Sequence, residues 1–309
     1  MPTHVLKVDE ENSRLRLDIF LAKNLTDIPS RSFVKKLFDA GSITVNHRNV
    51  KSHYKVTFGD EVVVTWSDEE FSQKYIEAEK IDLDIFYEDG QILVINKPAG
   101  MLVHPAQGKN SGTLVNALLY YGKNLSEINL TSGPGIVHRL DQETSGLLLI
   151  AKDNKTHVQL AQQFERRLVK KRYVALVEGS IEFDEGVIDA PLGRHPRHRN
   201  KKAVQFHELA KAATTFYRVL KRHKYSTMVA LLPQTGRTHQ LRVHMAYLGH
   251  PILGDEKYGR KYSFPRLALH AQSIGFFHPQ TSAYLEFWST LPEEFHIKEE
   301  TQAKGPNKN

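Results

Sequence analysis

A short polar segment of this sequence carries the residue types best suited to chemistry. Residues 138–146, HRLDQETSG, contain an Arg, an Asp and a Glu, followed by a Thr–Ser pair and a Gly. Short apolar runs flank the segment at 136–137 and 147–151, and runs of that length are typical of buried strands. A turn held at both ends by buried strands is rigid enough to orient a reacting group. The carboxylate of Asp141 could therefore act there as a nucleophile.

Asp141 taken alone also has a purely structural interpretation, because Asp often closes a turn by hydrogen bonding to a nearby backbone N–H group. The segment as a whole favours the catalytic interpretation. HRLDQETSG matches every fixed position of the pattern HRLDxxTSG, and it thereby resembles the RluA-type pseudouridine synthases, which isomerise uridine in RNA. The further strings that resemble the same family are INKPAGMLVHP at 95–105, TGRTHQLRVH at 235–244 and RLALHAQSIGFFHP at 266–279.

The reaction that the resemblance implies breaks the bond from the ribose C1′ to N1 of uracil and forms a bond from C1′ to C5. It involves no net redox change and no hydrolysis, and it requires no cofactor. The sequence agrees, because it contains no phosphate-cradling Gly loop, no dinucleotide fingerprint and no HExxH string. The 16 His residues are not spaced with acidic residues in a way that completes a metal site, so no metal is predicted.

The resemblance assigns roles to three residues. Asp141 is the implied nucleophile, although attack on C1′, addition to C6 and removal of a C2′ proton all remain open. Arg242 is the implied positive partner that keeps Asp141 ionised, while Arg237 is its competitor and otherwise a phosphate contact. Tyr173, in KRYVALVEG, is implied to stack on the uracil and to lie near C5 as a candidate base. Without the resemblance, Tyr173 would be interpreted as a half-buried aromatic of a strand.

Two more residues concern the extrusion of the target base. A uridine that is stacked in RNA must leave its neighbours before it reaches Asp141, which costs on the order of a few kcal/mol. The resemblance implies that Arg139, from the same turn, fills the vacated space. It also indicates Leu269 as an apolar wall for the base.

The N-terminal part reads as a small separate unit, which we predict as a domain at 13–75. Two short helices are followed by short strands at 43–45 and 60–65. The strings SRLRLDIFLAK at 13–23 and SRSFVKKLFDAGSITVN at 30–46 resemble the S4-type RNA-binding domain. Arg31 and Lys35 lie on the basic side of the second helix, where they would bind RNA phosphates. An ordinary helical cap with solvated lysines is the alternative.

The remaining chain is predicted as a catalytic domain at 82–300, with a disordered tail at 301–309. Strands and helices are interspersed without regular alternation, which predicts an α+β fold around a mostly antiparallel sheet, and the resemblance implies the same pseudouridine synthase fold. A helix capped near Asp153 is expected to bury Val158, Ala161, Phe164 and Leu168. The basic segment 191–202, PLGRHPRHRNKK, is predicted to be a loop that is either solvated or in contact with RNA phosphates.

Composition limits the remaining function classes. The 309 residues include no Cys, which excludes disulfides, thiolate nucleophiles and Cys-based metal sites. No segment resembles a signal peptide, and no run approaches the roughly 20 apolar residues that cross a bilayer. The net charge of +7 favours a polyanionic partner. We therefore expect a cytoplasmic monomer that binds RNA and no membrane.

The predicted function is isomerisation of specific uridines to pseudouridine in large-subunit ribosomal RNA. The S4-like unit, together with GPGIVHRLD at 133–141 and IDAPLGRHPRHR at 188–199, resembles the branch of the family that acts on large-subunit ribosomal RNA. The resemblance therefore implies 23S rRNA or a pre-ribosomal particle as the partner. Pseudouridine formation in tRNA is one alternative, and a nucleoside hydrolase that uses Asp141 and releases free uracil from RNA is a second. A non-catalytic RNA-binding or ribosome-assembly factor is another, and it would have lost Asp141 or its Arg partner, both of which are present.

Overall fold

The computed structural model describes residues 3–25, 34, 37–65, 76–106, 109–122, 125–126, 128, 133–198, 200–260 and 264–297. The proposed RNA contacts Arg31 and Lys35, and the predicted tail at 301–309, lie outside the described residues. The chain divides into two compact units, Met1–Tyr75 and Ile76–Asn309.

The N-terminal unit is built on a four-stranded antiparallel sheet. Its elements are β1 (Thr3–Lys7), α1 (Leu17–Asn24), β2 (Ile43–Val45), β3 (Arg48–Asn49) and β4 (Glu61–Thr65). The strands pair in the order β1-β4-β2-β3. The sequence EVVVT of β4 buries alternate residues, Val62 and Val64, as a strand with one solvated face does. These valines pack in one core with Leu17, Phe20 and Leu21 of α1.

The C-terminal unit is organised around a large sheet. Its strands are β5 (Ile85–Glu88), β6 (Ile92–Lys97), β7 (Ser145–Ala151), β8 (Lys170–Glu178), β9 (Glu185–Asp189), β10 (Leu192–Arg194), β11 (Lys202–Val204), β12 (Thr214–Arg222), β13 (Ser226–Pro233), β14 (Leu269–Phe277) and β15 (Tyr284–Trp288). The helices are α2 (Leu114–Tyr121), α3 (Asn154–Glu165) and α4 (Gln240–Tyr247), with a 3₁₀ turn at Glu293–Phe295.

Nine of these strands form one sheet in the order β5-β6-β7-β14-β8-β13-β12-β9, with β15 paired to β14. A separate hairpin joins β10 and β11. Among the described strands, only β7 and β14 pair in parallel, which confirms the predicted α+β class with a mostly antiparallel sheet.

Strand β7 is buried on both faces, which explains its unbroken run of apolar residues. Leu148 and Ile150 belong to the core on one side of the sheet. Leu147 and Leu149 belong to the core on the other side. A strand that is covered on both sides has no solvated face to supply alternating polar residues. The turn that carries Asp141 is therefore joined directly to the interior of the sheet.

Strand β14 divides the sheet, because its first residues lie beside β7 and its later residues lie beside β15. At the parallel junction, Ser145 Oγ and His270 Nδ1 are hydrogen-bonded at 2.8 Å. The Ser289 hydroxyl donates to the backbone oxygen of Gln272 and lies 2.8 Å from Nε2 of His270. This chain of bonds fixes the start of β7, immediately after the polar turn.

Gly146 allows the close approach of β7 and β14. Its φ is +116°, and a Cβ there would lie 2.3 Å from the backbone oxygen of Ala271. We expect Gly146→Ala to lower the free energy of unfolding by about 3 kcal/mol or more, since backbone atoms cannot yield as a flexible side chain does. Denaturant unfolding monitored by circular dichroism measures the change. Gly90→Ala is the matched control, because a Cβ at Gly90 meets nothing within 4 Å, and equal losses in both variants would contradict the explanation.

The predicted buried face of α3 is only partly right: Phe164 packs against one core of the sheet as expected, but two of the other residues do not. Val158 and Leu168 are 47% and 42% exposed. Thr156, His157 and Leu160 are buried instead, and Leu168 lies beyond the end of the helix. The side chain of Asp153 caps the helix by accepting the N–H of Thr156, as expected. An apolar stripe on a short helix leaves its rotation ambiguous, and packing against the sheet decides it.

Two local predictions are also wrong. Residues 136–137 do not form a strand, because only Ile136 is bridged, to Ile150. The polar turn is thus held by a strand on one side and by a single bridge on the other. The basic segment 191–202 is not wholly a loop, because Leu192–Arg194 and the strand that begins at Lys202 pair as a hairpin. The bridging partner of Ile136 is Ile150, on the far side of the polar turn. The second strand of the hairpin extends past the end of the basic segment, to Val204.

Candidate active site

The polar turn before β7 is tied to the loop that follows β6. Within the turn, the N–H of Thr144 donates to the backbone oxygen of Asp141 at 3.1 Å. The N–H of Gly100 donates to the backbone oxygen of Gln142 at 2.9 Å, and the Gln142 side-chain amide donates to the oxygen of Gly100 at 3.1 Å. These reciprocal bonds fix the backbone next to Asp141, so the direction of its carboxylate is set by two loops together.

Lys97 fastens the same two loops from inside. The residue is only 1% exposed, and its ammonium donates to the backbone oxygens of Pro98, Met101 and Gln142 at 2.7, 2.9 and 3.0 Å. Burial lowers the pKa of Lys97 to about 8, while the charges of Glu143 and Asp141 act in the opposite direction. Because these three hydrogen bonds join the two loops, Lys97 has a structural role.

We expect Lys97→Met to lower the free energy of unfolding by about 1–3 kcal/mol, because three buried carbonyl groups lose their donor. Pseudouridine formation should fall as well, since Gln142 adjoins Asp141. Chemical denaturation and single-turnover kinetics measure the two effects. The control is Lys221→Met, an exposed lysine of β12. Unchanged stability of Lys97→Met would show that the three bonds contribute nothing net.

His138 is a neutral hydrogen-bond acceptor at the start of the turn. Its Nε2 accepts the N–H of Leu149 at 2.8 Å, and its ring stacks on Phe164 with centroids 4.6 Å apart. Burial, together with the charge of Lys171, lowers the pKa of His138 to about 3. A ring that is neutral and already engaged orients the turn and is poorly suited to proton transfer.

A cleft of about 420 Å³ opens beside Asp141. All the candidate residues of the C-terminal domain contribute to its walls, namely Arg139, Asp141, Tyr173, Arg237, Arg242 and Leu269. Asp141 is half-buried and Arg139 is exposed at the opening, whereas Leu269 is buried in the wall. Residues that are up to 130 positions apart in the sequence thus surround one carboxylate.

Tyr173 extends from β8 into this cleft and packs against two of the hydrophobic cores. Burial raises the pKa of its phenol well above the usual value, and the nearby negative charge of Asp141 adds to the rise. The phenol is therefore protonated at neutral pH. In this state Tyr173 offers a flat apolar face beside Asp141, and it is not a ready base.

Arg242 forms its direct ion pair with Asp255 and not with Asp141. Its Nε and Nη2 donate to the two carboxylate oxygens of Asp255 at 2.7 and 2.6 Å, and the guanidinium is 5.2 Å from the ring centroid of Tyr258. Burial opposes the charge of Arg242, but the bonds and charge of Asp255, and then the charge of Asp141, raise its pKa. Arg242 thus acts on Asp141 through space.

Asp255 is itself fixed by the backbone. Its Oδ1 accepts the N–H groups of Lys257 and Tyr258 at 2.9 and 3.0 Å. Burial alone would raise the pKa of Asp255, but the hydrogen bond and charge of Arg242 lower it overall. The pair therefore stays ionised and holds the guanidinium in one orientation against the cleft.

His239 also faces the cleft, although the sequence analysis gave it no role there. Its Nδ1 is hydrogen-bonded to the hydroxyl of Tyr258 at 2.8 Å, and that hydroxyl also accepts the N–H of Lys202 at 2.9 Å. Burial lowers the pKa of His239 to about 4, although the charge of Asp141 acts in the opposite direction. The ring is therefore neutral, and its backbone is left-handed, with a φ of 58°.

The turn that carries Arg237 is organised by one buried amide. The Gln240 side chain accepts from the Thr235 hydroxyl at 2.7 Å and from the Arg237 N–H at 3.0 Å. It donates to the backbone oxygen of Thr214 and to the hydroxyl of Thr215, both at 3.0 Å. Arg237 is exposed, and its Nε donates to the backbone oxygen of Ala212 at 3.1 Å. The satisfied amide keeps Arg237 at the edge of the cleft.

Lys97, His239 and Asp255 were not predicted as site residues. Lys97 and His239 lie within strings that resemble the family, so these strings contained a signal for both, whereas Asp255 lies between two of the strings. Their roles depend on which distant groups they meet. Among the described residues, no group of three or more His, Asp or Glu could hold a metal ion. In the same part of the chain, no helix is long and apolar enough to cross a membrane.

Comparisons with known proteins show which families this chain resembles. The family described as RNA pseudouridylate synthase matches residues 91–247, and the S4 domain family matches residues 15–62. An uncharacterized RNA pseudouridine synthase of Bacillus subtilis is 45% identical over 94% of both chains. The ribosomal large subunit pseudouridine synthase D of Nitrosomonas europaea is 40% identical over 94% of this chain and 85% of that protein.

A solved structure gives the same result for the fold. The human RNA pseudouridylate synthase domain containing 1 aligns with a TM-score of 0.57 and 27% identity, covering 69% of this chain and 85% of that chain. The resemblances found in the catalytic strings and in the N-terminal unit are therefore confirmed at the level of the two families.

Proposed function

Since the chain belongs to the RNA pseudouridylate synthase family and is an isomerase of uridine in RNA, we propose that its substrate is large-subunit ribosomal RNA. Two observations support the substrate. The relatives named ribosomal large subunit pseudouridine synthase D align along nearly the whole chain, including the S4 region. A net charge of +7 suits a polyanion. On this proposal the enzyme acts as a monomer in the cytoplasm, on 23S rRNA or a pre-ribosomal particle.

The single observation that supports the catalytic assignment is the convergence of Asp141, Tyr173 and Arg242 on one cleft. We assign Asp141 as the nucleophile. Its carboxylate attacks C1′, the C1′–N1 bond breaks, and the uracil leaves with the bonding electrons. After the uracil rotates, C5 attacks C1′ and displaces the carboxylate. Removal of the C5 proton and protonation of N1 then complete pseudouridine, with no net gain or loss of atoms.

Tyr173 has two successive roles in this scheme. The protonated phenol first supports the face of the uracil while the base rotates. Its pKa is raised by burial and by the charge of Asp141, and the second cause disappears when Asp141 is esterified. The phenol is thus more acidic in the covalent intermediate than in the free enzyme. Its second role is that of the candidate base that removes the C5 proton, because it lies near the expected position of C5.

The remaining candidates concern binding. Arg139 lies at the opening of the cleft, where it is proposed to occupy the space that the extruded uridine leaves. Leu269 is proposed as the apolar wall, and Arg237 as a phosphate contact. The domain at 13–75, with Arg31 and Lys35, is proposed to bind RNA phosphates, and the domain at 82–300 to carry out catalysis.

Mapping pseudouridines in total RNA from cells with and without this gene tests the substrate. We expect one or more ribosomal RNA positions to lose pseudouridine, and the purified enzyme to restore them in an unmodified transcript. Loss of a tRNA position alone would contradict the ribosomal assignment while preserving the reaction. Release of free uracil without pseudouridine would contradict the isomerase mechanism.

A further inference from the structure

A second cavity, of about 280 Å³, adjoins the cleft that contains Asp141. The two cavities share a wall formed by Phe164, Glu165, Lys171, Pro233, Thr235, Gly236 and Arg237. The second cavity does not include Asp141, Tyr173 or Arg242 among its lining residues. It is therefore continuous with the proposed uridine site but separate from the reacting groups.

The charge of the second cavity favours an anion. Four cationic residues line it, namely Arg167, Lys170, Lys171 and Arg237, against the single carboxylate of Glu165. Arg237 is held at its edge by the bonds to Gln240 and to the backbone of Ala212. An excess of positive charge in a concave, partly desolvated site attracts a phosphate group.

Lys171 lies at the boundary between the two cavities. It precedes Tyr173 by two positions on β8, so both side chains project from the same face of the strand. Arg172 projects from the opposite face, where its guanidinium lies 5.2 Å from the ring of Trp288. The ammonium nitrogen of Lys171 is 4.0 Å from the position that a Cβ at Gly236 would occupy. The lysine is therefore directed across the shared wall.

The ammonium of Lys171 has no carboxylate partner among the described residues. Burial lowers its pKa, and no neighbouring acid offsets this effect. Glu165 faces the same space without forming an ion pair with it in the part of the chain that the structure describes. A half-buried cation without a counter-ion destabilises the protein when no ligand is bound, because the cation has lost part of its hydration. An anionic ligand that supplies the counter-charge removes this destabilisation.

We propose that the second cavity binds the backbone phosphate adjoining the target uridine, and that Lys171 supplies the charge that holds it. This inference rests on the proposed function, because it takes RNA as the ligand. The base lies against Tyr173 and Asp141, and the neighbouring phosphodiester lies at Lys171, two residues along the same strand. Lys171 thereby selects an extruded nucleotide that is still part of a chain over a free nucleoside.

The test uses RNA in which a single phosphate, 5′ or 3′ of the target uridine, is replaced by an uncharged methylphosphonate. The full-length enzyme and its Lys171→Met variant are compared by filter binding, which requires no turnover, and by kcat/KM. We expect the replacement at one of the two positions to weaken binding by the wild type by about tenfold. Lys171→Met should weaken binding of native RNA by a similar factor. It should also reduce by about one the slope of the logarithm of the binding constant against the logarithm of the salt concentration.

The combination of variant and modified RNA decides the inference. If Lys171 contacts that phosphate, the methylphosphonate causes no further loss in Lys171→Met, and Lys171→Arg retains most of the affinity. Lys221→Met, which changes an exposed lysine that lines neither cavity, should bind as the wild type does. Losses that multiply to about a hundredfold would overturn the inference, as would a wild type that is insensitive at both positions.

A failure of the proposed function has a different outcome. In that case the wild type forms pseudouridine in another RNA and none in the ribosomal transcript, and the binding comparison, made with that other RNA, still reports on Lys171. If Lys171→Met does not fold, as judged by its thermal unfolding, the modified RNAs with the wild type and the Lys171→Arg variant decide the question.

Discussion

We expect Asp141→Asn to abolish pseudouridine formation, with the rate of the chemical step falling by at least ~10⁴-fold. The amide has nearly the same shape as the carboxylate, but it cannot attack C1′ as an anion. The side chain of Asp141 is half-buried, and it accepts no hydrogen bond from the described residues, so the fold should not depend on its charge. Single-turnover conversion of an unmodified ribosomal transcript measures the loss.

Glu143→Gln is the matched control for this variant. It makes the same chemical change in the same turn, but Glu143 does not line the cleft. We expect its activity to stay within a few-fold of the wild type and its unfolding midpoint to match that of Asp141→Asn. Turnover by Asp141→Asn that remains clearly above background would refute the nucleophile assignment. An equal loss in both variants would mean that the turn as a whole, and not one carboxylate, is required.

The second large effect concerns the buried pair of Arg242 and Asp255. We expect Arg242→Met to lower the free energy of unfolding by about 3–5 kcal/mol, because Asp255 is left buried and charged without its partner. Activity should also fall steeply, because the positive charge that acts on Asp141 through space is lost. Urea unfolding and single-turnover kinetics follow the two losses separately.

The double variant Arg242→Met/Asp255→Asn separates these roles. The amide oxygen introduced at position 255 can still accept the N–H groups of Lys257 and Tyr258, and no buried charge remains, so much of the stability should return. Activity should stay low, since no cation replaces Arg242 beside Asp141. Recovery of pseudouridine formation together with stability would contradict the electrostatic role and leave Arg242 only a structural one.

The contribution of the Arg242–Asp255 pair to the free energy of unfolding is expected to decrease as the pH falls. The pKa of Asp255 is lower in the folded protein than in the unfolded chain. Its contribution is therefore fully present above the unfolded pKa and is lost as the pH falls through the folded pKa. In Arg242→Met, Asp255 loses the hydrogen bond and the charge that lower its pKa most and keeps only the bonds from the backbone, so the destabilisation by this variant should shrink in acid.

The sequence by itself determined the class of the fold and the location of the chemistry. An unbroken apolar run at β7 is typical of an interior strand, and the HRLDQETSG turn beside it contains Asp141. These features are local, since a pattern of burial or a short string is complete within a few residues. For the same reason the cap at Asp153 was predictable, because an N-cap bonds to the N–H group only three positions later.

The tertiary structure alone decided which groups meet at the cleft. Lys97 clamps an oxygen 45 positions away, Ser145 bonds to His270 across 125 positions, and Arg242 pairs with Asp255 rather than Asp141. The rotation of α3 was likewise set by the sheet beneath it and not by its own stripe. Which distant residues pair depends on how the strands and loops are arranged in space. The spacing of residue types within a short segment of the chain does not specify that arrangement.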